Sequence, residues 1–289
     1  MFEAISLLAW FAAASGAPVP AVDPLTQPIA SSRAAQWLAP VPPEKIHGNS
    51  YLVGFGGMSV ALIDAGAGLV LIDGALPQAA PAILANVRQL GFDPKDIKFI
   101  LSTEPHFDHA GGLAALARDT GATVVASARG VEGLRLGKHA ADDPQLAYGG
   151  SWPAVTRLRV MKDGEVLKLG KAAITAHATP GHTMGSMSWS WQACEGKKCK
   201  AIVFASSLNP VSADDYRFSS AAGAPFVAGF AQSYRTMEAL ACDILVSAHP
   251  DNAGEGRYNA APGACRAYAD RSRKALAKRL AAEKAEVAK

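Results

Sequence analysis

"STEPHFDHAGG", residues 102–112, packs Glu104, His106, Asp108 and His109 into six consecutive positions. The apolar run "IKFIL" leads directly into it and reads as a buried strand. Glu104 and His106 are two apart at the end of that strand, so their side chains leave on the same face. Asp108 and His109 follow where the chain folds back toward them, with Gly111 and Gly112 behind. Four side chains able to hold a metal ion thus converge in one turn at the end of a rigid strand.

Outward from this turn the chain alternates strands and helices. Upstream, "SYLVGFGGMSVALIDAGAGLVLIDGA" reads as three short strands broken by glycines, and "QAAPAILANVRQLGF" as a helix ending near Gly91. Downstream come the helix "GGLAALARDTG", the strand "TVVAS" and a polar, Gly-rich connection over residues 130–150, long enough to permit a lid. Two hairpins are expected next, with turns at Asp163-Gly164 and Glu195-Gly196. A helix about Phe226 to Leu240, the strand "ILVSAH" and a charged C-terminal helix complete the order. Strand-rich stretches followed by helices occur twice, which predicts an α/β fold of two packed sheets with helices outside.

Three further strand ends have the form of the first. "HATPGHTMGS" offers His182, "FASSLNP" offers Ser207 and "ILVSAHPD" offers His249. Taken singly, each histidine is more often a satisfied structural residue than a ligand. Together, Glu104, His106, Asp108, His109, His182 and His249 supply six ligands, enough for two zinc ions with positions left open for water. His47 and His139 read as ordinary loop residues, and His177 as a strand residue near the site at most.

The 289 residues, 49% of them hydrophobic, suffice for a large core in one large domain or two small ones. A formal charge of +3, from 28 basic against 25 acidic side chains with several of the basic ones in the last helix, argues against the clustered basic stripe of a nucleic-acid surface. Residues 1–17, "MFEAISLLAWFAAASGA", follow the apolar-then-small pattern of a secretory signal peptide and are too short to span a bilayer as a mature helix. The cysteines agree with export. Cys194 and Cys199 flank the turn-rich "EGKK" and would staple a hairpin, leaving Cys242 and Cys265 as a second pair.

With these residues in view, the chain after its leader resembles the metallo-β-lactamase superfamily, whose motif is His-x-His-x-Asp-His followed by distant single histidines. More narrowly it resembles the third subclass of class B β-lactamases, through "STEPHFDHAGG", "TPGHTMGSMSWSW", "CEGKKC", "SSLNPVSADDYRF" and "SAHPDNAG". The resemblance covers nearly all of residues 30–275. It implies a single domain over residues 18–289, an αββα sandwich with the metal site at one edge. It also implies a monomeric periplasmic enzyme, free of the membrane once its leader is removed, that hydrolyses penicillins, cephalosporins and carbapenems. Residue by residue, His106 and His182 match ligands of the first zinc, and Asp108, His109 and His249 ligands of the second. Glu104 stands where the family has the motif's first histidine. Ser207 and Asn209 match positions near the substrate, Asn209 in place of the usual serine or threonine.

In that reading Asp108 orients the attacking water. Glu104 adds a negative charge that weakens the first zinc as a Lewis acid, and Pro105 holds Glu104 in extended backbone. Two alternatives share the residues: a lactone or thioester hydrolase on the same fold, or a metal-binding protein whose first site is impaired by Glu104.

Overall fold

The computed structural model describes residues 23–254 and 256–287, so the expected signal peptide lies outside the described residues. After the short helix α1 (Ala34–Trp37), seven strands build one sheet in sequence order. Strands β1 (Glu44–His47), β2 (Ser50–Leu52), β3 (Ala61–Asp64) and β4 (Leu69–Ile72) form an antiparallel meander. Helix α2 (Ala80–Gln89) then crosses to β5 (Ile97–Leu101), which lies parallel to β4. Helices α3 (Phe107–Ala110) and α4 (Leu113–Thr120) cross to β6 (Thr123–Ala126), and α5 (Ala128–Leu136) leads on to β7 (Leu158–Val160), both parallel again. The second sheet holds β8 (Val166–Leu169), β9 (Ala172–Ala178), β10 (Met187–Glu195) and β11 (Lys198–Ala205) in antiparallel order. Past α6 (Ala224–Ala239), β12 (Ile244–Ser247) joins it parallel to β11, and α7 (Pro250–Ala253) and α8 (Ala264–Val287) follow. This is the αββα sandwich that the sequence predicts.

Period-2 geometry explains why the central strands are apolar throughout. In β4, Leu69 and Leu71 face the helix layer of α2 and α4, whereas Val70 and Ile72 face the other sheet. In β11, Ile202 and Phe204 face the first sheet, and Val203 and Ala205 meet the side chains of α6 and α8. Trp189 and Trp191 of β10 fill the space between the sheets. Their indole N–H groups donate across it, Trp189 to the Ser102 carbonyl at 3.3 Å and Trp191 to Ser50 Oγ at 2.9 Å.

Two local expectations are corrected. The Asp163-Gly164 turn forms, with Gly164 at φ 75°, but it joins strands of different sheets and closes no hairpin. The Asp163 carboxylate accepts the Ala178 N–H at 2.8 Å, which ties the turn to β9, while β7 completes the parallel set begun by β5 and β6. The hairpin in this region joins β8 and β9 instead. The Gly-rich connection over residues 130–150 begins inside α5. Ser127 caps that helix by accepting the Gly130 N–H, and Val131 and Leu134 are buried. Gly133 and Gly137 serve close packing: a Cβ at Gly133 would lie 2.8 Å from Pro105 Cβ, and one at Gly137 would meet the Trp152 carbonyl. Irregular chain starts only at Gly137.

Both cysteine pairs are bonded, Cys194–Cys199 across the β10–β11 hairpin and Cys242–Cys265 between the approach to β12 and the first turn of α8. The second closes a 23-residue separation, for which loop-closure entropy gives roughly 3 kcal/mol. Replacing both Cys242 and Cys265 by alanine is expected to lower the unfolding free energy extrapolated to water by that amount, seen as a lower urea midpoint. An unchanged midpoint would mean that α8 docks through Tyr268, Ala269 and Leu276 alone. Among the described residues no helix is long and apolar enough to cross a membrane.

Candidate metal centre

Strands β5, β11 and β12 end at one edge of the sandwich, where the β9–β10 connection also lies. The turn after β5 is fixed from both sheets: the Met187 N–H donates to the Thr103 carbonyl at 2.7 Å, and Asp73, just beyond β4, receives Thr103. Asp73 is fully buried and has φ 67°, a left-handed conformation that a non-glycine residue adopts only when its surroundings enforce it. Its carboxylate accepts the Thr103 N–H at 2.7 Å, the Thr103 hydroxyl at 2.6 Å and His109 Nδ1–H at 3.3 Å. Burial pushes the Asp73 carboxyl up, against these donors.

All six candidate ligands converge here, in two adjoining groups. Glu104, His106 and His182 form one and Asp108, His109 and His249 the other, with the ligand atoms of each group within 4.8 Å of one another. Glu104 Oε1 lies 3.4 Å from His182 Nε2, 4.0 Å from His106 Nδ1 and 3.2 Å from His109 Nε2, so it faces both groups. In the second group His249 Nε2 is 3.4 Å from Asp108 Oδ2 and 3.2 Å from His109 Nε2.

Three of the histidines are aimed in the same way. Each donates one ring N–H outward to an oxygen and turns its other nitrogen inward: His106 Nε2–H to Asp143 at 3.0 Å, His109 Nδ1–H to Asp73, and His182 Nδ1–H to the Asn209 carbonyl at 2.8 Å. This is how proteins orient imidazoles toward metals. The Gln145 amide approaches the same inward nitrogens, 3.1 Å from His182 Nε2 and 3.5 Å from His106 Nδ1.

Electrostatics add to the geometry. Burial opposes charge on Glu104, but the imidazoles of His109, His182 and His106 and the Ser207 N–H hold its carboxyl down at about 2. Burial likewise opposes charge on Asp108, and the His109 and His249 rings hold it well below the carboxylate range. His109, whose burial favours the neutral ring, is pushed up to about 10 by Glu104, Asp108 and Asp73. Ionised carboxylates in a buried site require nearby cations. Glu104 Oε1 is buried with no hydrogen-bond donor of its own, while Oε2 accepts the Ser207 N–H at 2.9 Å. An orphaned carboxylate oxygen facing inward imidazole nitrogens is a donor set that fits a divalent cation such as zinc.

A cleft of about 850 Å³ opens over the two groups. His106, Asp108, His182, Asn209 and His249 line its floor, with Trp37, Phe107, Tyr148 and Val211 around them. Asn209 therefore borders the cleft. Ser207 does not line it; it lies behind Glu104, 1% exposed, with its hydroxyl unpartnered. His177 bonds Ser190 Oγ at 2.7 Å in the second sheet and joins neither group, and His47 bonds the Lys198 carbonyl far along the fold. His139 is no ordinary loop residue: it is buried and packs its ring 5.1 Å from that of His106.

Asp73, Asp143 and Gln145 are site residues that the sequence reading misses. Asp73 ends the apolar run "LVLI", the same strand-end signal that marked His249. Asp143 and Gln145 sit in irregular chain with no pattern to mark them.

Comparison with known proteins agrees with this geometry. The family model for the metallo-β-lactamase superfamily matches residues 44–190. Among solved structures, a B3 metallo-β-lactamase described as having an active-site glutamic acid is 77% identical, with a TM-score of 0.90 over 91% of this chain and 99% of that one. The Rm3 metallo-β-lactamase is 40% identical, with a TM-score of 0.85 over 89% of this chain and 100% of that one. A curated β-lactamase hydrolase-like protein of Xylella fastidiosa is 32% identical over 111 residues, 38% of this chain but only 24% of that protein. The match therefore spans about a quarter of that relative's length.

Proposed function

Since this chain belongs to the metallo-β-lactamase superfamily, and within it to subclass B3, we propose that it hydrolyses the β-lactam amide bond of penicillins, cephalosporins and carbapenems, and so confers resistance to them. The observation that carries this reading is the pair of adjoining three-ligand groups at the floor of an open cleft. Two zinc ions, one held by Glu104, His106 and His182 and the other by Asp108, His109 and His249, would supply an activated water at neutral pH and a Lewis acid for the amide carbonyl.

The chain's own residues do the rest. Asp108, ionised and open to the cleft, orients the attacking water. Asn209 offers its side-chain amide to the substrate carboxylate from the cleft wall, with its backbone carbonyl already engaged by His182. Ser207 contributes through its backbone N–H, which fixes Glu104. Trp37 and Tyr148 give the rim an apolar surface for substrate side chains. The two disulfides and the apolar leader support secretion to the periplasm.

Chelator treatment is expected to abolish hydrolysis of a chromogenic cephalosporin, and added zinc to restore it, with two zinc ions per chain measured on the same sample. A homoserine lactone and a thioester assayed alongside should turn over far more slowly. Faster hydrolysis of either would move the function to that ester class. Zinc uptake without turnover of any of the three would leave a metal-binding protein.

A further inference from the structure

The irregular chain after α5 carries a carboxylate that the hydrolytic reading does not use. The Asp143 side chain is only 2% exposed, and both of its oxygens face donors. Oδ2 accepts His106 Nε2–H at 3.0 Å; Oδ1 accepts the Gln145 N–H at 2.8 Å and lies 3.9 Å from His139 Nδ1. His139 closes the far side, its ring 5.5 Å from Trp152 and neither of its nitrogens hydrogen-bonded. His106, His139 and Asp143 also cluster closely enough to suggest a third cation site. His106 Nε2 is already engaged by Asp143, however, so a cation there would compete with the bond that orients the ring.

We propose that Asp143 is the positioning residue for His106: it holds the imidazole proton on Nε2 and thereby presents the Nδ1 lone pair to the first metal. The inference rests on the zinc reading above. A metal-bound imidazole whose other nitrogen donates to a carboxylate is fixed in tautomer and orientation and made a more basic ligand. Only a carboxylate serves here, because both hydrogen-bonding partners of Asp143 are donors. Asparagine has one carbonyl oxygen for two N–H groups. Its NH₂ must face either the Gln145 N–H or His106 Nε2, and the second arrangement moves the imidazole proton to Nδ1, where it blocks the metal.

The test is Asp143→Asn in the full chain, with two readouts. Zinc titration against a competing chelator resolves the two equivalents, and two-bond proton–nitrogen NMR of the metal-free protein reports the His106 tautomer. The expected result is a first equivalent weakened by about 10–100-fold, an unchanged second equivalent at Asp108, His109 and His249, and His106 proton density moved from Nε2 toward Nδ1. A variant that binds both equivalents as the native chain does, with the proton still on Nε2, overturns the proposal. So does a variant in which both equivalents weaken together with an unchanged tautomer, since that marks Asp143 as a loop staple. If the native chain takes up no zinc and opens no β-lactam, the zinc reading itself falls, a result visible before any variant is made.

Discussion

Asp108→Asn is expected to lower kcat for a chromogenic cephalosporin by about 100-fold, the scale on which misplacing a reacting group costs rate. We propose two tasks for the Asp108 carboxylate. Its Oδ2 stands 3.4 Å from His249 Nε2 and 3.6 Å from His109 Nε2, which makes it the only anionic member of the second group. It also borders the cleft, where the attacking water must be held. Asparagine keeps the shape but removes the charge and turns one hydrogen-bond acceptor into a donor, so the water is no longer held by the same contact. The loss should therefore fall on kcat and persist at zinc concentrations that refill the site. Zinc content and thermal midpoint, measured beside the kinetics, separate this from unfolding; a decrease of less than about tenfold at full zinc occupancy would remove Asp108 from the water-positioning role.

Glu104→His carries the second large effect, with two parts of opposite sign. Exchanging the carboxylate for a neutral imidazole removes one negative charge from the first group and shortens the reach to the metal. Apparent zinc affinity of the weaker equivalent should rise at least about tenfold, or about 1.4 kcal/mol, and turnover at low zinc should rise with it. The same change removes the acceptor for the Ser207 N–H, which is buried and has no other partner of its own. That orphan should cost about 1–3 kcal/mol in the metal-free protein. Native chain activity is accordingly expected to depend on added zinc, and the variant to depend on it less while melting earlier when stripped of metal. Unchanged zinc affinity and unchanged turnover would show that Glu104 is not a ligand.

The sequence made the strand-end ligands visible for a physical reason. His182, His249 and the turn from Glu104 to His109 each follow an apolar strand, and in this fold those strand ends share one edge. Asp73 carried the same mark, but a single carboxylate after "LVLI" has no local partner to single it out. Asp143 lies in chain without periodicity, and its partner His106 is 37 residues away, so only tertiary structure reveals the pair. The Asp163-Gly164 turn shows the converse limit. Local turn chemistry bends the chain there, yet which strands pair is decided by the distant β6, and the two sides of the turn go to different sheets.

The outward hydrogen bonds of His106, His109 and His182 go to oxygens that the protein itself supplies, and the turn between the sheets is held by the Thr103 carbonyl and the Trp189 indole. The orientation of these three rings is thus set by contacts within the protein. On the proposed zinc reading, stripping the metal should therefore switch off hydrolysis while leaving the fold standing, and returning the ion should restore activity without a refolding step.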